Sequence, residues 1–123
     1  MAHGAIEWLE IPATDLTKAP QFYETVFGWK INRMPGMDQY PMFMDAANQL
    51  GGGFTASAKP MAEAGVLLYI TVDEIDTMVP RITAAGGKMA KPKTAISPEI
   101  GWWANFHDPS GNLIGLYQKA AAR

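Results

Sequence analysis

The chain has 123 residues, 48% of them hydrophobic and 18% charged, no cysteine and a formal net charge of −2, the profile of one compact soluble domain. The missing cysteines exclude a disulfide framework, thiolate metal sites and a cysteine nucleophile, while leaving the redox compartment open. With 10 Lys+Arg against 12 Asp+Glu and no basic run, nucleic acid and anionic membranes are poor partners, and because Glu7 and Glu10 interrupt the apolar start, neither a signal peptide nor a spanning helix is expected and cytoplasmic residence follows.

In chain order, Ala5 to Ile11 reads as a strand ending at Pro12. A helix follows, with Thr14, Asp15 and Thr17 as candidate caps and an apolar stripe at Ala19, Phe22, Tyr23, Val26 and Phe27. Gly28 is placed to stop it in the left-handed conformation. Three short strands are expected at Lys30 to Met34, Tyr40 to Ala46 and Leu50 to Ser57, and Ala58 to Gly65 reads as a linker. The pattern then restarts. Val66 to Val72 is a β-rich run, and Ile75, Met78, Val79 and Ile82 supply a second helical stripe with Asp76 as its expected cap. Pro80 predicts a short or kinked helix, and Gly86-Gly87 its end. Strands at Lys88 to Lys91, Trp102 to His107 and Asn112 to Lys119 complete the chain, the last two joined by the type I turn residues Asp108-Pro109-Ser110-Gly111.

The interval from Asp15 to Gly28 recurs from Asp73 to Gly86, a repeat of about 58 residues, and Lys30 then falls on Lys88. The expected fold is α+β, with two tandem βαβββ units (about 4–58 and 64–120) within a single domain over 1–123.

Three segments now carry a resemblance: Trp8-Leu9-Glu10-Ile11-Pro12-Ala13-Thr14-Asp15-Leu16, Phe22-Tyr23 with Phe27-Gly28-Trp29, and Phe106-His107-Asp108-Pro109-Ser110-Gly111-Asn112. In this order, spanning nearly the whole chain, the sequence resembles the vicinal oxygen chelate superfamily of glyoxalase I, bleomycin-resistance proteins and extradiol dioxygenases. The resemblance implies one curved, eight-stranded mixed sheet around a cavity, helices on its outer face, and commonly a divalent metal held by four strands. The four ligand places it implies fall on Trp8, on Gly51, Gly52 or Gly53, on Leu67 or Val66, and on Gly115. None of these side chains ligates a metal, so no metal and no other cofactor is expected. His3 and His107 do not replace the set: His3 is terminal, and His107 reads as a turn-flanking side chain bonded to backbone.

Strand alternation places Ile6, Trp8 and Glu10, then Leu67, Tyr69 and Thr71, then Leu113, Gly115 and Tyr117 on the cavity face. Leu9, Ile11, Leu68, Ile70, Ile114 and Leu116 should pack beneath the helices. The expected ligand-binding residues are Trp8, Glu10, Leu67, Tyr69, Trp103 and Tyr117, lining an aromatic concavity suited to a small, partly apolar molecule. Glu10, beside Trp8, is the candidate catalytic acid or base, with a raised pKa expected there. Its alternative is a structural bond to Tyr69, Tyr117 or a backbone amide. Trp102 and Trp103 must point to opposite faces, one into the core and one toward a ligand or partner. Gly51-Gly52-Gly53 lacks the Lys-Ser/Thr and helix of a phosphate loop and reads instead as a strand that permits close backbone approach. Methionines such as Met34, Met37, Met42 and Met44 read as gap-fillers or as a mouldable pocket.

The functional expectation is a protein of the glyoxalase and bleomycin-resistance kind that binds a small molecule without the usual metal. The alternative is a metal-dependent lyase, isomerase or dioxygenase of the glyoxalase type with displaced ligands. A homodimer is expected, with Trp29 or Trp102 as exposed aromatics at its interface; a third possibility is a structural or regulatory dimer with a vestigial cavity.

Overall fold

The computed structural model describes residues 3–63 and 65–121. Ala64, in the expected linker, lies outside them. Two compact units divide the chain, Met1–Pro60 and Met61–Arg123, and each is a βαβββ unit with its own four-stranded mixed sheet. Among the described residues no helix is long and apolar enough to cross a membrane.

The first unit comprises β1 (Trp8–Pro12), α1 (Lys18–Phe27), β2 (Lys30–Asn32), β3 (Met42–Met44) and β4 (Gly51–Thr55). Its sheet runs β1-β4-β3-β2, with β1 parallel to β4 and the other pairs antiparallel. Thr17 occupies the N-cap of α1, but its side chain makes no cap bond. Asp15 does that work: its Oδ1 accepts the backbone N–H of Thr17 and of Lys18, both at 2.8 Å, satisfying two donors that the first turn leaves without helical partners. Gly28 closes the helix at φ 72°, a conformation that a residue with a Cβ adopts only at a cost. The chain then turns so that Trp29 stacks between Tyr23 and Phe43, with ring centroids 4.5 Å apart on each side. This stack anchors the core of the unit together with Phe22, Val26 and Phe54. Trp29 is only 5% exposed, which removes it from the interface role expected of it: the glycine that ends the helix turns the indole inward.

The second unit comprises β5 (Tyr69–Thr71), α2 (Ile75–Ala84), β6 (Lys88–Ser97), β7 (Gly101–His107) and β8 (Leu113–Lys119), in the order β5-β8-β7-β6. Ile75, Met78 and Ile82 bury the apolar face of α2, and Ala104, Phe106, Ile114 and Leu116 are the buried residues of β7 and β8. The helix begins before the expected Asp76. Glu74 is the N-cap without a side-chain bond, and the N–H of Ile75 is accepted instead by Gln118 Oε1 of β8 at 2.8 Å. Docking of the fully buried Ile75 thus sets the helix start. Pro80 lies inside α2, which still runs on to Ala84.

The strand bounds differ from expectation, most in β3, which is confined to Met42–Met44, and in β5 and β6. β5 is short because Val66 is exposed and its ladder begins only where Leu68 C=O accepts from Gly115 N–H. β6 is long, running through Lys91-Pro92-Lys93 to Ser97. As the edge strand it pairs only with β7, and its register shifts between Lys91 and Thr94, so Pro92 sits where a missing N–H breaks no ladder. The turn between β7 and β8 forms as the sequence reads. Asp108 is buried and accepts from the backbone of Ser110 and Asn112 and from the Asn112 side-chain amide, while Asn112 Oδ1 accepts from Met61 N–H.

Candidate functional site

A cleft of about 390 Å³ opens on the second unit, lined by Tyr69, Thr71, Ile96, Trp103 and Tyr117. Its residues come from three strands in register and from the edge strand. One row across the sheet reads Tyr69, Gly115, Asn105, Lys91, and the next Thr71, Tyr117, Trp103, Thr94. Side chains in such rows share one face of a sheet. Tyr117 is fixed by its hydroxyl, which donates to Ile100 C=O at 2.6 Å. Tyr69 is 48% exposed and its ring lies over Gly115, in the space that a Cβ there would need. Among the described residues no charged side chain lines the cleft. The Lys91 ammonium stands 5.8 Å from the Trp103 ring centre, at the outer reach of a cation–π contact. The lining favours an aromatic or aliphatic body with few polar groups.

Tyr69, Trp103 and Tyr117 are therefore brought together as expected, and Leu67 is not. It precedes β5 and is half-buried outside the strand. Trp8 and Glu10 form a separate group in the first unit. The Trp8 indole N–H donates to the Tyr40 hydroxyl at 2.9 Å, and that hydroxyl donates to Glu10 Oε2 at 2.8 Å. Glu10 is exposed and Trp8 is 52% exposed. The tyrosine that Glu10 binds is thus Tyr40, not Tyr69 or Tyr117. Burial pushes the Tyr40 pKa above its usual value, with the hydrogen bond and charge of Glu10 adding to the shift and the Trp8 bond opposing it. Trp102 points to the opposite face from Trp103, yet it is not in the core: both are half-buried, and Lys93 lies 4.9 Å above the Trp102 ring while pairing with Asp76 of α2 at 3.2 Å. His107 bonds the Ala62 carbonyl through Nε2 at 3.1 Å, the turn-flanking role expected.

Sequence reading missed Ile96 because β6 was expected to end at Lys91. Thr71 carried its signal in the alternation with Tyr69. Tyr40 carried none, because its contacts lie 30 and 32 residues away in the chain.

The bleomycin resistance protein-like N-terminal family matches residues 6–44. A glyoxylase-like domain-containing protein of Didymella fabae is 30% identical over 120 residues, covering 93% of each chain. The chain belongs to the glyoxalase and bleomycin-resistance family. This places it in the vicinal oxygen chelate superfamily. CFP32 of Mycobacterium tuberculosis, provisionally named a glyoxylase, is 30% identical over 122 residues, and the chain spans 46% of that protein's length. Among solved structures, TnmS3, an antibiotic binding protein from Streptomyces sp. CB03234, superposes with a TM-score of 0.71 at 26% identity, covering 98% of this chain and 99% of its own.

The family's divalent metal does not fit the residues this chain supplies. The relevant positions hold Trp8, the glycines of β4, Leu67 and Gly115, which offer no His, Glu or Gln donor. Two of the glycines also lie under tyrosine rings. A Cβ on Gly53 would meet the Tyr40 ring, and one on Gly115 the Tyr69 ring. A donor side chain at either place would have to expel a tyrosine. Among the described residues, no group of three or more His, Asp or Glu is placed to hold a metal ion.

Proposed function

We propose that the protein binds a small, partly apolar organic molecule in the cleft of its second unit, by stacking on Trp103 and Tyr117 and without a divalent metal. The cleft carries this reading. Its volume falls in the range of small-molecule sites, its walls are aromatic and aliphatic, and one aromatic ring is held rigid by a hydrogen bond. The antibiotic-binding function named for TnmS3 supports the same class of ligand. The Tyr40 bond supports a positioning role for Glu10 over proton transfer, since the carboxylate is exposed and already engaged. The proposal takes the protein as a cytoplasmic homodimer, an assembly that sedimentation equilibrium reads directly.

The test is a thermal-shift screen of aromatic metabolites and antibiotics against the parent, Trp103→Ala and Trp8→Ala. A ligand at a hundredfold excess over its Kd stabilises the fold by about 2.7 kcal/mol. That stabilisation is expected to vanish in Trp103→Ala and to persist in Trp8→Ala. Stabilisation that survives Trp103→Ala removes the cleft from the function.

A further inference from the structure

Resting on the cleft reading above, we propose that Asn105 is a specificity-determining hydrogen-bond acceptor that selects planar aromatic ligands carrying an N–H or O–H donor. Asn105 is 9% exposed, and among the described residues its side-chain oxygen has no hydrogen-bond partner. A buried acceptor left in that state disfavours the fold, because the water bond lost on burial is not replaced. A ligand donor would replace it.

Register places Asn105 where such a donor can arrive. Asn105 lies two residues from Trp103 on β7 and shares its face, opposite Gly115 of β8. Gly115 has no side chain to separate Asn105 from Tyr69 across the row. The Tyr69 ring occupies the space above that glycine, and Tyr69 is half exposed and one of the cleft's own walls. A flat ligand stacked on Trp103 and Tyr117 that shifts the Tyr69 ring therefore has its edge directed along the row toward the Asn105 oxygen. This adds a buried acceptor beside a cleft whose own polar groups are the hydroxyls of Tyr69, Thr71 and Tyr117. A site that offers a buried acceptor rejects a shape-matched ligand lacking the donor, since the acceptor then stays unpaired.

Indole and benzofuran test this, being nearly the same shape and differing in one N–H. NMR titrations of both probes into the parent protein, Asn105→Leu and Asn105→Ala follow the Trp103 and Tyr117 signals. Indole is expected to bind the parent about tenfold more tightly than benzofuran, and the preference to fall to less than about twofold in both variants, with benzofuran affinity retained. Without ligand, Asn105→Leu is expected to melt no lower than the parent, because it removes an unpaired acceptor and keeps the same side-chain branching. Equal binding of the two probes by the parent, or a preference that survives in the variants, overturns the assignment of Asn105 and leaves the cleft reading standing. A lower Tm for Asn105→Leu shows the amide already satisfied within the fold and overturns the assignment too. Failure of both probes to move the Trp103 and Tyr117 signals counts against the cleft itself, and the assignment falls with it.

Discussion

The Tyr40 hydroxyl donates to Glu10 Oε2 at 2.8 Å across 30 residues of sequence, tying the loop before β3 to the edge strand β1. The phenol is disfavoured as an anion there, first by burial and then by the bond to Glu10 and its charge. Its folded pKa lies above the usual 10.0, so the stability linked to it is complete below that value and is lost as pH rises through the folded pKa. In Glu10→Gln, Tyr40 should titrate at lower pH than in the parent, followed by absorbance near 295 nm in the parent, Glu10→Gln and Tyr40→Phe. An unchanged titration would remove Glu10 as a contributor. Tyr40→Phe should also cost about 1 kcal/mol in urea unfolding.

Asp15 gives the opposite sign. Its carboxylate accepts the backbone N–H groups of Lys18 and Thr17, in that order of effect, and its pKa is lowered from 3.8. The stability it lends is present above that value and is lost as pH falls through the lowered pKa. Asp15→Ala is expected to lower Tm at neutral pH, and the gap from the parent to close in strong acid. Asp15→Ser, which keeps a capping oxygen, should recover part of the loss. A gap that persists when both proteins are fully protonated would point to packing instead of the charged cap.

The glycines of the last strand in each unit rank by what surrounds them. An added Cβ at Gly52 meets the backbone carbonyl of Leu9 and the buried Phe43 ring, neither of which has room to retreat. At Gly115 it meets the half-exposed Tyr69 ring, which can swing outward. Gly52→Ala should cost about 3 kcal/mol or more and Gly115→Ala about 1 kcal/mol by denaturant unfolding. A reversed order would show that β1 moves more easily than the Tyr69 side chain.

Metal addition offers a fourth check. With no donor at Trp8, Leu67, Gly115 or the β4 glycines, Mn(II), Ni(II), Zn(II) and Fe(II) should leave Tm unchanged, and so should prior treatment with EDTA. A saturable rise in Tm, with metal recovered in proportion to protein, would reveal a donor set elsewhere in the chain.

What the sequence disclosed follows the range of the forces involved. The stripe from Ala19 to Phe27 and the stop at Gly28 are local, and they appear as read. The Asp108 turn is equally local and keeps its form. The alternation of Tyr69 and Thr71, and of Gly115 and Tyr117, is enough by itself to put these residues on one face. Residues that depend on distant partners were not legible. Gln118 sets the start of α2 from another strand, and Tyr40 reaches Glu10 from a loop. Pro92 hid the length of β6, because a proline reads as a break unless the strand is known to be an edge.

In both units the first strand lies parallel to the last, and a tyrosine ring covers the last strand's glycine: Tyr40 over Gly53, and Tyr69 over Gly115. The rings have unlike origins. Tyr40 arrives from the loop before the third strand, whereas Tyr69 belongs to the first strand of its own unit, at the ladder place that Glu10 holds in the other. The two halves are thus alike in topology and strangers in side-chain chemistry. A graft of the first unit's strands into the second would reproduce the ladder and yet leave its glycine uncovered unless the loop that carries Tyr40 travelled with it, whereas the second unit's strands bring Tyr69 with them.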